Sequence, residues 1–316
     1  VDRPDPTVRL ASDDDTEALV AVAIRSLGWK PSDPNVSFFR WKHQQNPAGR
    51  SPIWLAETGG ELMGFRTMMR WRFRRNGQPV DAVRAVDTAT DPDHLRRGVF
   101  RLLTMTAVEA LTADQINFVF NTPNAKSRPG YLRMGWDDAG RLPVRVAVAG
   151  PRSIPRLMRS RTAACKWSTP LNAGRDIASV SADLAALPPT AAPAAFTTSR
   201  DRPYLDWRYG FEPLGYRVIQ TDNAAAVVRL RTRGKAAELV VADVFANSSR
   251  SSRQPFRQLR RLRGVDHVLT LASAAHPQPP LLPVPKLGPH LTVRSLSQPA
   301  PAAAQFRFSL GDIELF

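Results

Sequence analysis

Cysteine is almost missing from this chain: Cys165 stands alone in 316 residues. No intrachain disulfide can form, and no cysteine cluster can hold a metal. Histidine is scarce too, and the five present (43, 94, 267, 276 and 290) are scattered without ligand spacing, so no metal is expected. No apolar run is long enough to span a bilayer, and "VDRPDPTVRL" at the start lacks the apolar stretch of a signal peptide. The expectation is a cytoplasmic protein without a transmembrane segment.

Acidic residues are also in short supply, 28 against 44 Lys and Arg, for a formal charge of +16. Such an excess suits an anionic partner: a nucleotide cofactor, nucleic acid or acidic lipid. It is nearly all arginine and spread along the chain, which is also the mark of a simple compositional bias. No stretch interleaves arginine with exposed aromatics, so no specific nucleic-acid partner is expected. Hydrophobic residues, at 43%, are plentiful enough for a sizeable core.

The pattern along the chain predicts an α+β fold. "TVRLA" (7–11) reads as a short strand, "DDDTEALVAVAIRSLGW" (13–29) as a helix with an acidic start, and 35–47 as a short helix ended by Pro47. Residues 53–90 read as three strands, with turns at Gly59-Gly60 and Asn76-Gly77. "RRGVFRLLTMTAVEAL" (96–111) has helical spacing, and "INFVF" (116–120) reads as a buried strand. A strand that ends in a glycine-bearing turn and opens a helix leaves backbone N–H groups unpaired at the positive end of the helix dipole. That is an anion site whose usual occupant is phosphate, and "DHLRRGVF" (93–100) is the stretch that would form it.

Directly after the strand "INFVF" comes "NTPNAKSRPGYLRMGW" (121–136), with Asn124, Ser127, Tyr131, Gly135 and Trp136 in the pattern N-x-x-S-x-x-x-Y-x-x-x-G-W. With "TATDPDHLRRGVF" upstream, this resembles the GNAT acyl-CoA N-acyltransferases over about residues 5–150. The resemblance implies acetyl-CoA, or another acyl-CoA, as donor and a small-molecule amine as acceptor. Its pyrophosphate would lie on the turn formed by Leu95, Arg96, Arg97, Gly98, Val99 and Phe100, and Asn124 and Ser127 would serve the pantetheine region. Thr88, Ala89 and Thr90, on a strand expected to splay from its neighbour, would offer backbone groups to the pantetheine and the acetyl oxygen. Tyr131 would be the general acid to the sulfur.

The chain departs from the family at three points. Leu95 stands at the usual Gln/Arg position, Phe100 replaces a small residue, and Arg84 stands where some members carry a glutamate base. Asp87 is taken as the base in its place; Glu109 and His94 are poorer candidates.

The second half repeats features of the first. "FFRWKHQQNPAG" (38–49) matches "YLDWRYGFEPLG" (204–215), with Trp41 against Trp207, and "VDTATDPDHLRRGVF" (86–100) matches "ADVFANSSRSSRQPF" (242–256), with Asp87 against Asp243. A helix (255–264) and a strand (267–272) follow in the same order. Gln254 stands for Gly98, Pro255 removes an N–H, and the Asn and Tyr are gone.

Two tandem GNAT-like domains are therefore expected, each a mostly antiparallel twisted sheet flanked by helices. Residues 1–150 would be catalytic, and 151–316 a degenerate, structural or substrate-shaping copy. Residues 274–290 are expected to form an extended proline-rich loop, and "FRFSLGDIELF" a terminal strand. The activity implied is acetyl transfer to a primary amine, with an amino sugar of a surface glycan or a small metabolite as a fitting acceptor, anionic or nucleotide-linked sugars included. A non-catalytic acyl-CoA sensor is the alternative.

Overall fold

The computed structural model describes residues 5–160, 162–188, 191–248, 250–272, 281–284 and 288–313. In chain order, β1 (Thr7–Leu10) leads into α1 (Thr16–Leu27) and α2 (Asn35–His43), then the meander β2 (Ile53–Thr58), β3 (Glu61–Arg75) and β4 (Gln78–Thr90). Next come α3 (Val99–Ala113), β5 (Phe118–Asn121), α4 (Arg128–Arg133), β6 (Asp137–Arg141) and β7 (Val144–Val148). The elements α5 (Ile154–Met158), α6 (Ser181–Ala186), β8 (Thr197–Thr198) and α7 (Arg202–Gly210) precede a second meander, β9 (Arg217–Thr221), β10 (Ala224–Arg233) and β11 (Ala236–Ala246). Then follow α8 (Gln254–Leu259), β12 (His267–Leu271), β13 (Leu282–Val284), β14 (His290–Ser295) and α9 (Leu310–Ile313).

The expected meander is present. Asn76 and Gly77 both have positive φ, 50° and 75°, as a two-residue type I′ turn requires, so β3 and β4 extend as one long hairpin. Helix α3 buries Val99, Leu103, Ala107 and Leu111, spaced one turn apart, against Met63, Met68, Val83 and Val119 of the sheet. In the second unit Phe256 and Leu259 of α8 pack in the same way on Val228, Leu239, Val241 and Val268.

Two sheets result. One runs β1-β2-β3-β4-β5-β14-β6, with β8 paired to β3 off this path; the other runs β13-β7-β12-β11-β10-β9. The order helix, meander, helix, parallel strand recurs. Strand β5 pairs parallel with β4 (Val83↔Val119, Arg84↔Phe120), and β12 pairs parallel with β11 (Glu238↔His267 to Val240↔Leu269).

The compact units are not the consecutive halves 1–150 and 151–316. One comprises 1–73, 79–140 and 290–302; the other comprises 74–78, 141–289 and 303–316. The reason lies in strand pairing. β14, late in the chain, adds antiparallel to β5 (Thr292↔Asn121), while β7 adds antiparallel to β12 (His267↔Val148). Each sheet is thus completed by a strand from the other half of the sequence.

Two further expectations change. Within the described residues the terminal segment is not a strand: Phe306 makes a single bridge with Phe196, 310–313 coil into α9, and 314–316 lie outside the described residues. Of the expected loop 274–290, residues 274–280 and 285–287 lie outside the described residues, 282–284 form β13 against β7, and His290 opens β14.

Candidate active site

The site is built where β4 and β5 part. Their parallel ladder stops at Arg84↔Phe120, while β4 continues to Thr90, so the segment expected to splay runs on without β5 as its ladder partner. Asp87, inside β4, has φ +42°, a left-handed conformation that aspartate tolerates better than most residues.

The side chain of Asp87 meets α2. Its Oδ2 lies 2.6 Å from Lys42 Nζ and 2.8 Å from His43 Nε2, and His43 Nδ1 lies 3.0 Å from Ser51 Oγ. Burial alone would raise the Asp87 pKa, but the Lys42 ammonium and the His43 ring hold it well below the ordinary carboxylate range. Burial pushes His43 down, against the pull of Asp87, so its ring is neutral. A carboxylate held charged by an ammonium is a weak proton acceptor, which counts against Asp87 as the base. It is half of a buried ion pair with Lys42.

Thr88, the next residue, meets different groups. Its Oγ1 accepts a hydrogen bond from Arg66 Nη1, and the same nitrogen donates to the Tyr131 hydroxyl at 2.6 Å. Arg66, on β3, is fully buried, and its Nε and Nη2 have no hydrogen-bond partner among the described residues. Its guanidinium lies 5.2 Å from the Tyr131 ring centroid and 5.8 Å from that of Phe100. Phe100 and Trp136 stand edge-on to Tyr131, at 5.4 and 5.2 Å. Phe100 therefore walls the tyrosine from the side. Because arginine can only donate, the Tyr131 oxygen is the acceptor in this bond, and its own proton is left to give.

The turn before α3 is open. Gly98 caps the helix at φ +75°, and Arg96 also has positive φ. The first bond into the helix is from Leu102 N–H to the Gly98 carbonyl, so the amides from Arg96 to Arg101 have no acceptor among the described residues. A Cβ at Gly98 would have no atom within 4 Å. Leu95 and Arg96 are exposed, Arg97 donates to His94 Nδ1 at 2.8 Å, and Val99 is buried in the core. His94 is thereby tied to the turn itself. Behind the turn, a Cβ at Gly64 would fall 2.5 Å from the Ala89 carbonyl oxygen and 3.3 Å from Val99, so only glycine lets β3 approach so closely. The Thr90 carbonyl accepts from Ser26 Oγ at 2.9 Å.

Asn124 Oδ1 accepts from the amides of Lys126 and Ser127, at 3.0 and 2.9 Å, and from Ser127 Oγ. It shapes the entry to α4 and leaves only its amide nitrogen for a ligand. Arg84 is buried and donates to Thr122 Oγ1 at 3.1 Å. Thr88, Phe100 and Tyr131 thus come together around a common cation, and Asp87 has separate partners. Arg66, Lys42 and His43 were not foreseen. The match of "FFRWKH" to "YLDWRY", which sets His43 against Tyr209, held a signal for the last of them.

The family described as "Acetyltransferase (GNAT) domain" matches residues 7–139. Residues 7–139 form a GNAT domain. No curated protein matches the chain in sequence. Among solved structures, a GCN5-related N-acetyltransferase from Kribbella flavida superposes with a TM-score of 0.68 at 16% identity, covering 93% of this chain and 72% of that one. A probable N-acyltransferase from Enterococcus faecalis V583 gives 0.65 at 10% identity, covering 93% and 73%. Eis1 from Mycobacterium abscessus gives 0.61 at 17%, covering 92% and 74%. At these identities the likeness is one of fold, and it extends through both units. The GNAT class is one of acyl transfer from acyl-CoA, and the open turn, the splayed strands and the half-satisfied Arg66 are groups that such a donor would fit. Among the described residues no cluster of His, Cys, Asp or Glu could hold a metal, and no helix is long and apolar enough to cross a membrane.

Proposed function

We infer that the chain transfers an acetyl group from acetyl-CoA to the primary amine of a small acceptor, with Tyr131 as the general acid. The observation that carries this is the hydrogen bond from buried Arg66 to the Tyr131 hydroxyl, beside the gap between β4 and β5. The donor supplies an activated acyl carbonyl and a thiol leaving group. The amides of Arg96 to Phe100 would hold its pyrophosphate, with charge from Arg96 and Arg97, and Asn124 and Ser127 would border the pantetheine. The edge of β4 at Thr88, Ala89 and Thr90, beyond the last pair with β5, leaves backbone groups for the pantetheine and the acetyl oxygen.

The amine would attack as the free base. As its nitrogen bonds to the acyl carbon and the carbon–sulfur bond breaks, Tyr131 gives its proton to the sulfur and the amine loses one to water. Arg66 stabilises the phenolate until solvent returns the proton. Asp87 would act only through structure, by pinning α2 to β4. A net charge of +16 favours an anionic acceptor, such as an acidic or nucleotide-linked amino sugar, over a polycation.

The test is thiol release from acetyl-CoA with a panel of amines that includes anionic amino sugars. Amine-dependent release is expected. Saturable acetyl-CoA binding with no release for any amine would mark a sensor and overturn the reading.

A further inference from the structure

The second unit has no open phosphate turn, but it retains a crevice. Beyond the last parallel pair, Val240↔Leu269, β11 and β12 part as β4 and β5 do. The gap is a cavity of about 670 Å³, reached by Ala242–Ala246 of β11 and by Thr270 and Leu271 of β12. It is well within the size range of small-molecule sites. Leu184, Phe245, Phe256 and Phe308 give it apolar walls.

Its charge is one-sided. Arg74, Arg75 and Arg307 line it, and none of them pairs with a carboxylate among the described residues. Arg75 uses its Nε on the Ala194 carbonyl and stacks over Phe196, and Arg307 uses only Nη1, on the carbonyls of Ala304 and Phe306. The carboxylates in the wall are already engaged. Asp243 takes Arg200 and the Tyr209 hydroxyl, and Asp201 caps α7 through the Tyr204 amide. An apolar hollow with unspent guanidinium groups on its lining suits a ligand with an apolar body and one anionic end.

We propose that this cavity binds an amphipathic monoanion of the medium-chain fatty-acid type, at a site separate from the donor site of the first unit. CoA is a poor occupant. Helix α8 begins Gln254-Pro255, and the turn before it spends its amides on itself, with Ser248 N–H donating to Ser251 Oγ and Ser251 N–H to Ser248 Oγ.

Calorimetric titration of the full chain with decanoate, with saturating CoA present to occupy the first unit, should show one saturable site. Decyltrimethylammonium, equally apolar but cationic, should not bind. Arg75→Glu combined with Arg307→Glu, both on accessible side chains, should weaken decanoate roughly tenfold or more. Ala185→Trp, which fills the cavity from α6, should abolish binding. Thermal melting of each variant checks the fold. Absence of saturable decanoate binding, or binding that both variants leave unchanged, overturns the proposal. If CoA itself fails to bind, the donor assignment falls, and the same two variants still locate any decanoate site.

Discussion

The two units treat the same junction in opposite ways. Before α3, Gly98 and Arg96 take left-handed conformations and leave a row of amides open; before α8, Ser248 and Ser251 close the turn on itself and Pro255 removes a donor. Behind each turn lies a buried aspartate at an irregular point of its strand. Asp87 has positive φ, and the β10–β11 register slips beside Asp243. Asp87 is paired with Lys42 and hydrogen-bonded to His43, and Asp243 is paired with Arg200 and hydrogen-bonded to Tyr209. A buried, paired carboxylate at an irregular point of its strand is therefore common to both units and belongs to the fold. The open turn and the tyrosine belong to one unit only, and to them we assign the chemistry.

The largest effect expected concerns the feature with no counterpart. Tyr131→Phe should lower turnover roughly 10²–10⁴-fold, the usual worth of general acid catalysis, with acetyl-CoA affinity nearly unchanged. It also strips Arg66 of a partner, at about 1–3 kcal/mol of stability, so turnover is measured well below the melting midpoint. Full turnover in the variant, with chemistry rate-limiting, would make Tyr131 a packing residue and erase the contrast between the units.

Next comes the shared feature. Lys42→Met strands a buried carboxylate and should cost about 3–5 kcal/mol in urea unfolding. Arg200→Met should destabilise in the same direction, since it leaves Asp243 and Asp312 without their common cation. A Lys42→Met protein with an unchanged midpoint and no turnover would instead place Asp87 in the reaction.

A smaller effect should separate the two turns. Gly98→Glu puts a side chain and a negative charge where the amides meet phosphate, and CoA affinity should fall roughly a hundredfold, the worth of two charge-assisted hydrogen bonds. Gln254→Glu should leave affinity and stoichiometry alone. A second CoA site lost with Gln254→Glu would show that the second turn is not closed.

The smallest effect concerns pH. His43 has a depressed pKa in the fold, so the unfolded chain binds the proton first. Stability contributed by the neutral ring is intact above about pH 6.5 and is lost as pH falls towards its folded value. Tyr209, in the matching place, is pushed well above the usual tyrosine value, chiefly by burial, and does not titrate in that window. His43→Gln should therefore flatten the decline of the urea midpoint below about pH 6.5; an equal slope in variant and wild type would assign the acid sensitivity elsewhere.

Much of this was legible in the chain, because it is local. The Asn76-Gly77 turn, the one-turn spacing of Val99, Leu103 and Ala107, and the N-x-x-S-x-x-x-Y pattern rest on neighbours in sequence, and backbone sterics and helical periodicity are enough to read them. The fate of Arg66 was not legible. In "GFRTMMRWRFRR" (64–75) it is one arginine of five on an alternating strand, and only the arrival of Tyr131 from α4 makes it a buried cation with nitrogens to spare. Lys42 and His43 sit on a helix whose apolar pattern says nothing of a carboxylate on β4.

Sequence by itself thus determined the elements, the open turn and the tyrosine that could face it. Tertiary structure decided what those elements were joined to. It set β14 beside β5 and β7 beside β12, so that each unit borrows a strand. It also spent Asp87 on an ion pair and kept a cavity in the unit whose phosphate turn is closed. The physical reason is that a strand edge accepts any ladder partner whose alternation fits, and a buried charge any counter-charge within reach. Neither choice is written in the residues beside it in the chain.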